Sequence, residues 1–270
     1  MDAKLDQLET ILRQTSGVLV AFSAGVDSTF LLKVAHRALG DRAVALTASS
    51  PTAPPGELDA AKEFTRGLGC RHIVVDSHEL ANPSFSQNPA NRCFFCKDEL
   101  YRICRDQARQ IGVDAIVDGT NLDDLKDHRP GLKAAAAFGV RHPLVEAQLT
   151  KDDIRRYSRE LNLPTWDKPS SPCLSSRFPY GTEITLERLK QVGACEVFLK
   201  ELRFREFRVR YHGDLARIEV APDELERLME KDTRETVVRR FKELGFNYVS
   251  FDLQGYRTGS LNEALRAKPG

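Results

Sequence analysis

The first half of the chain alternates short apolar runs with amphipathic segments, and this alternation restricts the possible fold more than any other feature of the sequence. Residues 17–22 form an unbroken apolar run, which is typical of a parallel strand covered by helices on both faces. Further strands are predicted at 43–47, 72–75 and 115–118, and helices at 4–14, 28–39, 57–68 and 97–111. We therefore expect an α/β fold, in which a parallel sheet binds ligands at the carboxyl ends of its strands.

The pattern changes in the segment 164–180, which contains four prolines and shows little periodicity. We interpret this segment as a long functional loop rather than an inert linker. The chain after it predicts helices at 185–202, 223–231 and 232–244, and strands at 207–212, 216–220 and 248–253. These patterns indicate a first domain over 1–180 and a smaller α+β domain over 181–270.

The 270 residues include 40 basic and 39 acidic side chains, which gives a formal net charge of +1. Nucleic-acid-binding domains are usually strongly basic, so nucleic acid is not an expected partner. No apolar run approaches the roughly 20 residues that a membrane span needs, and the polar N-terminal residues do not resemble a secretory signal. We therefore expect a cytoplasmic protein without a membrane partner, whose six cysteines serve packing, metal binding or catalysis rather than disulfides.

The segment between the first predicted strand and the next helix has the features of an anion site. It reads SAGVDST at 23–29. A helix N-terminus offers free backbone N–H groups and a positive dipole end, and Ser23, Ser28 and Thr29 add hydroxyl donors. The segment has neither the lysine of the nucleotide-binding P-loop nor a G-x-G-x-x-G pattern. A serine-capped helix start of no function would look similar, so the strand before it and the helix after it carry the prediction.

A second polar segment, DGTNLDD at 118–124, follows the fourth predicted strand and so reaches the same edge of the sheet. Its aspartates are suited to hold Mg²⁺ on a bound nucleotide. Gly119 would let the backbone approach that nucleotide closely. The alternative interpretation is an Asn/Asp turn that caps a helix.

These segments together carry a resemblance to known enzymes. The strand-SxGxDS-helix pattern resembles the PP-loop of ATP pyrophosphatases, which hold pyrophosphate there and split ATP between its α- and β-phosphates. The usual form is SGGxDS, so Ala24 replaces a glycine, which is tolerable if its φ is negative. The whole set resembles the LarE family of ATP-dependent sulfur-inserting enzymes, through SAGVDST (23–29), NRCFFCK (91–97), DGTNLDD (118–124), HRPG (128–131), KPSSPCLSSRFPYG (168–181) and RVRYHGDLARIEV (208–220).

The resemblance implies ATP and Mg²⁺ as cofactors, with Mg²⁺ on Asp27 or on Asp123 and Asp124. The nucleotide-binding residues that it implies are Ser23, Gly25, Val26, Asp27, Ser28, Thr47, Ser49, Gly119, Thr120, Asp123, Arg129 and Arg177. For Thr47 and Ser49, which follow the second strand where the family receives adenosine, ordinary loop hydroxyls are an equal alternative.

The same resemblance assigns a substrate site to the second domain. Arg208 and Arg210 share one strand face and are suited to bind a carboxylate or phosphate through paired hydrogen bonds. In the family they would face the pyridinium biscarboxylate mononucleotide substrate, and Glu196 and Glu219 match positions that form a metal or substrate site. Solvated surface charge is the alternative for each of the four. Family members assemble as hexamers, so a homo-oligomer is expected.

The cysteines leave two routes for sulfur open. Cys173 matches the cysteine that delivers sulfur in the family, and Arg177 nearby would favour its thiolate; simple packing is the alternative. Cys93 and Cys96 form one C-x-x-C, which alone is a weak signal. Together the three thiolates could hold a [4Fe–4S] cluster with one open iron, as in cluster-bearing sulfur transferases. The alternative is a sacrificial Cys173 that loses its own sulfur, leaves dehydroalanine and acts only once.

The resemblance therefore implies a reaction in two stages. A substrate carboxylate first attacks the α-phosphate of ATP, which gives an acyl adenylate and pyrophosphate. Sulfur held at Cys173 or on the cluster then displaces AMP and forms a thiocarboxylate. Three alternatives are tRNA thiolation on the same core, a non-catalytic ATP-binding module, and amidation by free ammonia.

Overall fold

The computed structural model describes residues 3–126 and 130–263. Across these residues, the order of strands and helices confirms the predicted α/β fold. No helix within the two described ranges has the length and apolar character needed to cross a membrane.

The chain is divided into two compact units that are not simply consecutive in sequence. The first unit runs as far as Phe85 and resumes over Asn91–Ser171. The second consists of the short segment Ser86–Ala90 together with the chain from Pro172 onward. The proline-rich segment 164–180 is thus shared between the two units.

The first unit is built around a parallel sheet. Its strands are β1 (Val18–Ala21), β2 (Ala43–Ser49), β3 (Arg71–Asp76) and β4 (Ala115–Asp118), in the order β3-β2-β1-β4. The helices that precede Ser171 are α1 (Ala3–Arg13), α2 (Val26–Leu39), α3 (Glu57–Leu68), α4 (Pro83–Ser86), α5 (Arg92–Ile111), α6 (Gly131–Ala137), α7 (Pro143–Glu146) and α8 (Lys151–Glu160). Because β1 lies between β2 and β4, the segments that follow these strands meet at one edge of the sheet.

The burial of β1 explains why its sequence has no polar residue. Val18 and Val20 belong to one apolar cluster, with residues of α1, α2 and α8. Leu19 and Ala21 belong to a second cluster on the opposite face, with residues of α5 and α6. Successive side chains of a strand point to opposite faces, so a strand covered on both faces must be apolar throughout.

The second unit contains a small mixed sheet. Its strands are β5 (Phe207–His212), β6 (Leu215–Val220) and β7 (Tyr248–Phe251), and its helices are α9 (Leu186–Glu201), α10 (Leu225–Met229) and α11 (Lys231–Glu243). Strands β5 and β6 pair antiparallel around Gly213, whose φ is +70°, while β7 pairs parallel to β6. Cys173 comes directly before a short 3₁₀ turn, Leu174–Arg177.

The prediction omitted helix α8, although the sequence contains a signal for its start. The Thr150 hydroxyl accepts a hydrogen bond from the backbone N–H of Asp153, and the Asp153 carboxylate accepts one from the backbone N–H of Thr150. This reciprocal pair is a capping box, which fixes the beginning of a helix. Ile154 and Tyr157 then bury the apolar face of the helix.

Candidate active site

The phosphate loop joins the end of β1 to the start of α2 and is folded back on the first turn of that helix. The Ser23 N–H donates to the Ser28 hydroxyl at 3.3 Å, and the two hydroxyl oxygens are 3.1 Å apart. Gly25 is the residue before α2 and offers no side chain to cap it. The first N–H groups of α2 therefore face the loop without a side-chain acceptor, as an anion-binding helix start requires.

Ala24 departs from the backbone conformation that its sequence predicts. Its φ is +54°, whereas alanine is expected at this position only with a negative φ. A left-handed conformation costs a residue with a Cβ about 1–2 kcal/mol. Ala24 is only 2% exposed and belongs to the apolar cluster that α1, α2 and α8 share with β1. Burial of its methyl group offsets about 0.8 kcal/mol of this conformational cost.

The segment 118–124 meets the phosphate loop through shared polar contacts. The Lys151 ammonium lies 2.5 Å from Oδ2 of Asp27, and the Asn121 amide donates to Oδ1 of Asp27 at 3.2 Å. The Lys151 N–H donates to Oδ2 of Asp123 at 2.9 Å. Lys151 is the first residue of α8. Because this helix was not predicted from the sequence, the contact of Lys151 with the loop was not predicted either.

Gly119 has a sterically defined role at this junction. A Cβ added to it would lie 2.8 Å from the backbone nitrogen of Ser28 and 3.1 Å from the carbonyl carbon of Asp27. Contacts this short with backbone atoms cannot be relieved by moving a side chain. Glycine therefore lets the end of β4 pack directly against the start of α2, a contact that the prediction of a nucleotide-facing Gly119 had not included.

Asp118, the last residue of β4, is the centre of a buried hydrogen-bond group. It accepts from the Tyr101 hydroxyl at 2.6 Å and from Nδ1 of His142 at 2.7 Å. Burial acts to raise the pKa of Asp118, but the hydrogen bond from His142 and the charge of Lys97 lower it well below its usual value. The same hydrogen bond raises the pKa of His142 against the opposing effect of burial. The carboxylate is thus held ionised at the sheet edge.

The remaining predicted nucleotide contacts lie in varied surroundings. Thr47 is buried. Its hydroxyl donates to the Phe22 carbonyl at 2.8 Å and lies 2.8 Å from Nε2 of His72. Ser49 ends β2 and is half-buried. Val26 is the buried first residue of α2, and the Thr120 N–H donates to Oδ1 of Asp118. Arg129 lies outside the described residues.

Burial divides the six cysteines into two groups. Cys70, Cys104 and Cys195 are buried, and burial raises the pKa of all three thiols, to about 12 for Cys104 and Cys195. Cys93 is exposed, whereas Cys96 and Cys173 are half-buried. The three accessible thiols are the ones singled out from the sequence. Over residues 3–126 and 130–263, no group of three or more His, Cys, Asp or Glu side chains is placed to hold a metal ion.

In the second unit, Arg177 fixes the turn that follows Cys173. Its guanidinium forms a two-point ion pair with Glu196, at 2.8 and 2.9 Å, and both side chains are buried. It also donates to the carbonyls of Pro172 at 2.9 Å and Cys173 at 3.3 Å. Arg177 therefore binds the backbone carbonyls of Cys173 and of the residue before it. This contact with the cysteine segment is different from the thiolate-favouring role predicted for the guanidinium.

Arg210 holds the same turn from the sheet. It forms a two-point ion pair with Glu219, at 2.9 and 2.7 Å, and donates to the Ser176 carbonyl at 2.8 Å. Arg217 donates to the same carboxylate at 3.0 Å. Glu196 and Glu219 each accept three hydrogen bonds, which leaves about one of the four lone-pair sites of each carboxylate for a metal ion.

Arg208 is the other arginine predicted to bind substrate. Its guanidinium donates to the Tyr256 hydroxyl at 3.3 Å and lies 4.7 Å from the centre of that ring. Burial and, next, the charge of Arg177 lower the pKa of Arg208. Tyr256 follows β7 and was not singled out from the sequence, where no local pattern distinguishes it from other tyrosines.

Known proteins resemble the chain over most of its length. No protein-family model matches it. The uncharacterized protein slr1717 of Synechocystis sp. is 44% identical over 98% of this chain and 99% of its own. The pyridinium-3,5-bisthiocarboxylic acid mononucleotide synthase of Lactiplantibacillus plantarum is 38% identical over 96% of this chain and 93% of its own. A component of the glutamine-hydrolysing GMP synthase of Methanocella arvoryzae is 26% identical over 70% of this chain and 66% of its own.

Sequence identity and fold lead to the same family. The first unit has a phosphate loop between β1 and α2, and the DGTNLDD segment contacts that loop from the end of β4. The identity with the L. plantarum enzyme extends over almost the whole chain. The chain therefore belongs to the LarE family, within the PP-loop ATP pyrophosphatase superfamily.

Proposed function

We propose that the protein is an ATP-dependent sulfurtransferase in the synthesis of the nickel-pincer cofactor, which lactate racemase uses. It would adenylate the carboxylates of pyridinium-3,5-biscarboxylic acid mononucleotide and convert them to thiocarboxylates. The observation that carries the proposal is the 38% identity, over 96% of the chain, with the L. plantarum pyridinium-3,5-bisthiocarboxylic acid mononucleotide synthase. By family resemblance we also expect a homo-oligomer, which light scattering would measure.

The first stage makes the inert carboxylate reactive. A carboxylate oxygen attacks the α-phosphorus of ATP, the bond to the β-phosphate oxygen breaks, and pyrophosphate leaves. N–H groups at the start of α2 and the hydroxyls of Ser23 and Ser28 would stabilise the developing phosphate charge. Asp27, or Asp123 together with Asp124, would supply the oxygen ligands that Mg²⁺ prefers, and a bound Mg²⁺ would neutralise phosphate charge.

The second stage replaces AMP by sulfur. The Cys173 thiolate attacks the acyl carbon, a C–S bond forms, and the C–O bond to AMP breaks. Removal of the Cys173 α-proton then breaks its Cβ–S bond, so that the thiocarboxylate leaves with the sulfur and dehydroalanine remains. Arg177 and Arg210 support this stage by holding the backbone of the turn that carries the thiol.

A [4Fe–4S] cluster on Cys93, Cys96 and Cys173 remains the alternative sulfur source. The thiolate donor set suits such a cluster, but no three metal-ligating side chains are gathered within the described residues. In support of the alternative, these three are the thiols that burial leaves accessible.

The proposed activity is tested by incubating the protein with ATP, Mg²⁺ and the biscarboxylate mononucleotide. We expect AMP and pyrophosphate to be released only when the substrate is present, and mass spectrometry to detect the thiocarboxylate. Cys173→Ala should still release pyrophosphate but form no thiocarboxylate. ATP cleavage at the same rate with and without the substrate, or no cleavage at all, would contradict the proposal.

The sulfur source is tested by anaerobic purification with an iron count and a visible spectrum, for the wild type and Cys93→Ser. Iron that is bound by the wild type and lost in Cys93→Ser would establish the cluster. An iron-free protein whose intact mass falls by one H₂S after turnover would establish the sacrificial route.

A further inference from the structure

A lysine from a distant part of the chain reaches the phosphate loop. The Lys168 ammonium lies 3.1 Å from the carbonyl oxygen of Ala24, the second residue of the loop. It also lies 2.7 Å from Oε2 of Glu57, the first residue of α3. All three residues belong to the first unit. The loop sequence has no lysine of its own, so this contact supplies the loop with a cation that its motif lacks.

The segment that carries Lys168 is held in place by helix α8. Arg155 donates to the carbonyl of Trp166 at 2.7 Å and to that of Lys168 at 3.0 Å. The guanidinium of Arg159 lies 5.1 Å from the centre of a Trp166 ring. Two arginines of one helix thus fix the backbone from which Lys168 extends, and the contacts with Ala24 and Glu57 position its ammonium.

The ammonium has capacity for a further acceptor. A lysine ammonium has three N–H donors, and the contacts with Ala24 and Glu57 engage two of them. The Lys168 side chain is 27% exposed, so a ligand can reach it. A nucleotide triphosphate brings several negative charges to the loop, whereas a helix start supplies the equivalent of only about half a positive charge. Charge balance therefore favours a cationic side chain, such as that of Lys168, beside the phosphate loop.

We propose that Lys168 binds the β- and γ-phosphates of ATP, the part that departs as pyrophosphate. This inference rests on the proposed function, because it assumes that the loop holds the nucleotide phosphates. Glu57 holds the ammonium beside the loop when no nucleotide is bound, and when ATP binds, phosphate oxygens accept from the third N–H and compete with that carboxylate for the ammonium. Cys173 is the fifth residue after Lys168, so one short segment serves both stages of the reaction.

The proposal is tested by measuring the binding of ATP, inorganic pyrophosphate and AMP to wild type, Lys168→Gln, Lys168→Arg and Glu57→Gln. Lys168→Gln should weaken binding of ATP and pyrophosphate by about tenfold or more, because it removes a charge-assisted hydrogen bond. Binding of AMP, which has no β- or γ-phosphate, should stay within about twofold of wild type. Lys168→Arg should restore much of the loss.

Glu57→Gln is the matched control, since it breaks the same ion pair from the other side. If Lys168 binds phosphate, this variant should bind ATP as tightly as wild type or more tightly. Equal weakening in Lys168→Gln and Glu57→Gln, or equal weakening of ATP and AMP, would mean that the ion pair only supports the loop, and would overturn the inference. Failure of the wild type to release AMP with the biscarboxylate substrate would refute the proposed function but leave this binding comparison decisive.

Discussion

Two small residues near the phosphate loop are under opposite steric demands. Ala24 carries a methyl group at a φ of +54°, where glycine is the least strained residue. Gly119 has no room for a methyl group, because one would lie 2.8 Å from the backbone nitrogen of Ser28. The site thus tolerates a Cβ at Ala24, although backbone strain opposes it there. It excludes a Cβ at Gly119, where packing against the start of α2 is closest.

Ala24→Gly should leave the free energy of unfolding within about 1 kcal/mol of wild type. Relief of about 1–2 kcal/mol of backbone strain is opposed by loss of a buried methyl group and by the greater freedom of glycine in the unfolded chain. Ala24→Val should destabilise by more than about 2 kcal/mol, because a β-branched residue is poorly accommodated at positive φ in a packed site. Urea unfolding measures both, and equal effects of the two substitutions would contradict the strain argument.

Gly119→Ala should destabilise the protein by about 1–3 kcal/mol and weaken ATP binding, because the added Cβ pushes the end of β4 away from the start of α2. Gly67→Ala is the matched control. Gly67 lies inside α3, and a Cβ there meets no atom within 4 Å. The same substitution should stabilise that helix by about 0.5–1 kcal/mol. A destabilisation common to both variants would show that packing at Gly119 is not the cause.

Alkylation should separate the cysteines by burial. In the folded protein, iodoacetamide near pH 8 should label Cys93, Cys96 and Cys173, because only a thiolate that solvent can reach reacts readily. Cys104 and Cys195, with a pKa of about 12, should react only after unfolding. Peptide mass spectrometry gives the labelled positions. Rapid labelling of either buried thiol in the folded protein would contradict the assignment.

Strand β4 and helix α7 are joined by a titrating pair, Asp118 and His142. Asp118 ends the strand, and His142 directly precedes the helix. Because the pKa of His142 is raised in the folded state, the pair stabilises the protein fully below the unfolded value of about 6.5 and less as pH rises through the folded value. Because the pKa of Asp118 is lowered, its contribution holds above about 3.9 and fades as pH falls further.

His142→Asn should remove this dependence, because an amide can donate to Asp118 but does not titrate. We expect the wild type to be more stable than the variant by about 1–3 kcal/mol between pH 4.5 and 6, and the difference to shrink as pH rises above 7. Urea unfolding over a pH series measures it. A difference that is constant from pH 5 to pH 9 would show that the pair does not titrate as described.

Several elements were predictable from local sequence, although the local capping signal of α8 was missed. The apolar run of β1 predicts a strand buried on both faces, and α3 begins and ends where its pattern and the following glycine predict. The phosphate loop is also one short segment. The two lysines that contact the loop were not predictable, because Lys151 and Lys168 are 124 and 144 residues away in sequence from the loop residues that they contact. Nor does residue type give the φ of Ala24, which depends on the packing around it.

The chain passes between the two units three times, at residues 85–86, 90–91 and 171–172. Within the second unit, the Asn88 amide donates to the carbonyls of Phe178 at 3.3 Å and Pro179 at 2.7 Å. The Gly181 N–H donates to the Asn88 carbonyl at 2.9 Å. Asn88 is fully buried and has a φ of +56°. A short early segment thus secures the chain just after the cysteine turn.

Asn88→Gly should destabilise the protein by about 1–3 kcal/mol through loss of the two side-chain hydrogen bonds. Asn88→Ala should cost about 1 kcal/mol more, because alanine also strains the left-handed backbone. Asn162, with a φ of +52°, is the matched control, and Asn162→Gly should change stability by less than about 0.5 kcal/mol. Urea unfolding ranks the three variants; an Asn88→Gly variant as stable as Asn162→Gly would contradict a role for the amide.

The segment Ser86–Ala90 also limits how this gene can be recombined. A chimaera that takes everything after Ser171 from a relative would keep the host's Asn88 and set it against a foreign Phe178–Gly181 region. The inherited module is therefore discontinuous: an exchange that keeps this contact within one parent transplants the five-residue insert and the C-terminal portion together, although more than 80 codons separate them.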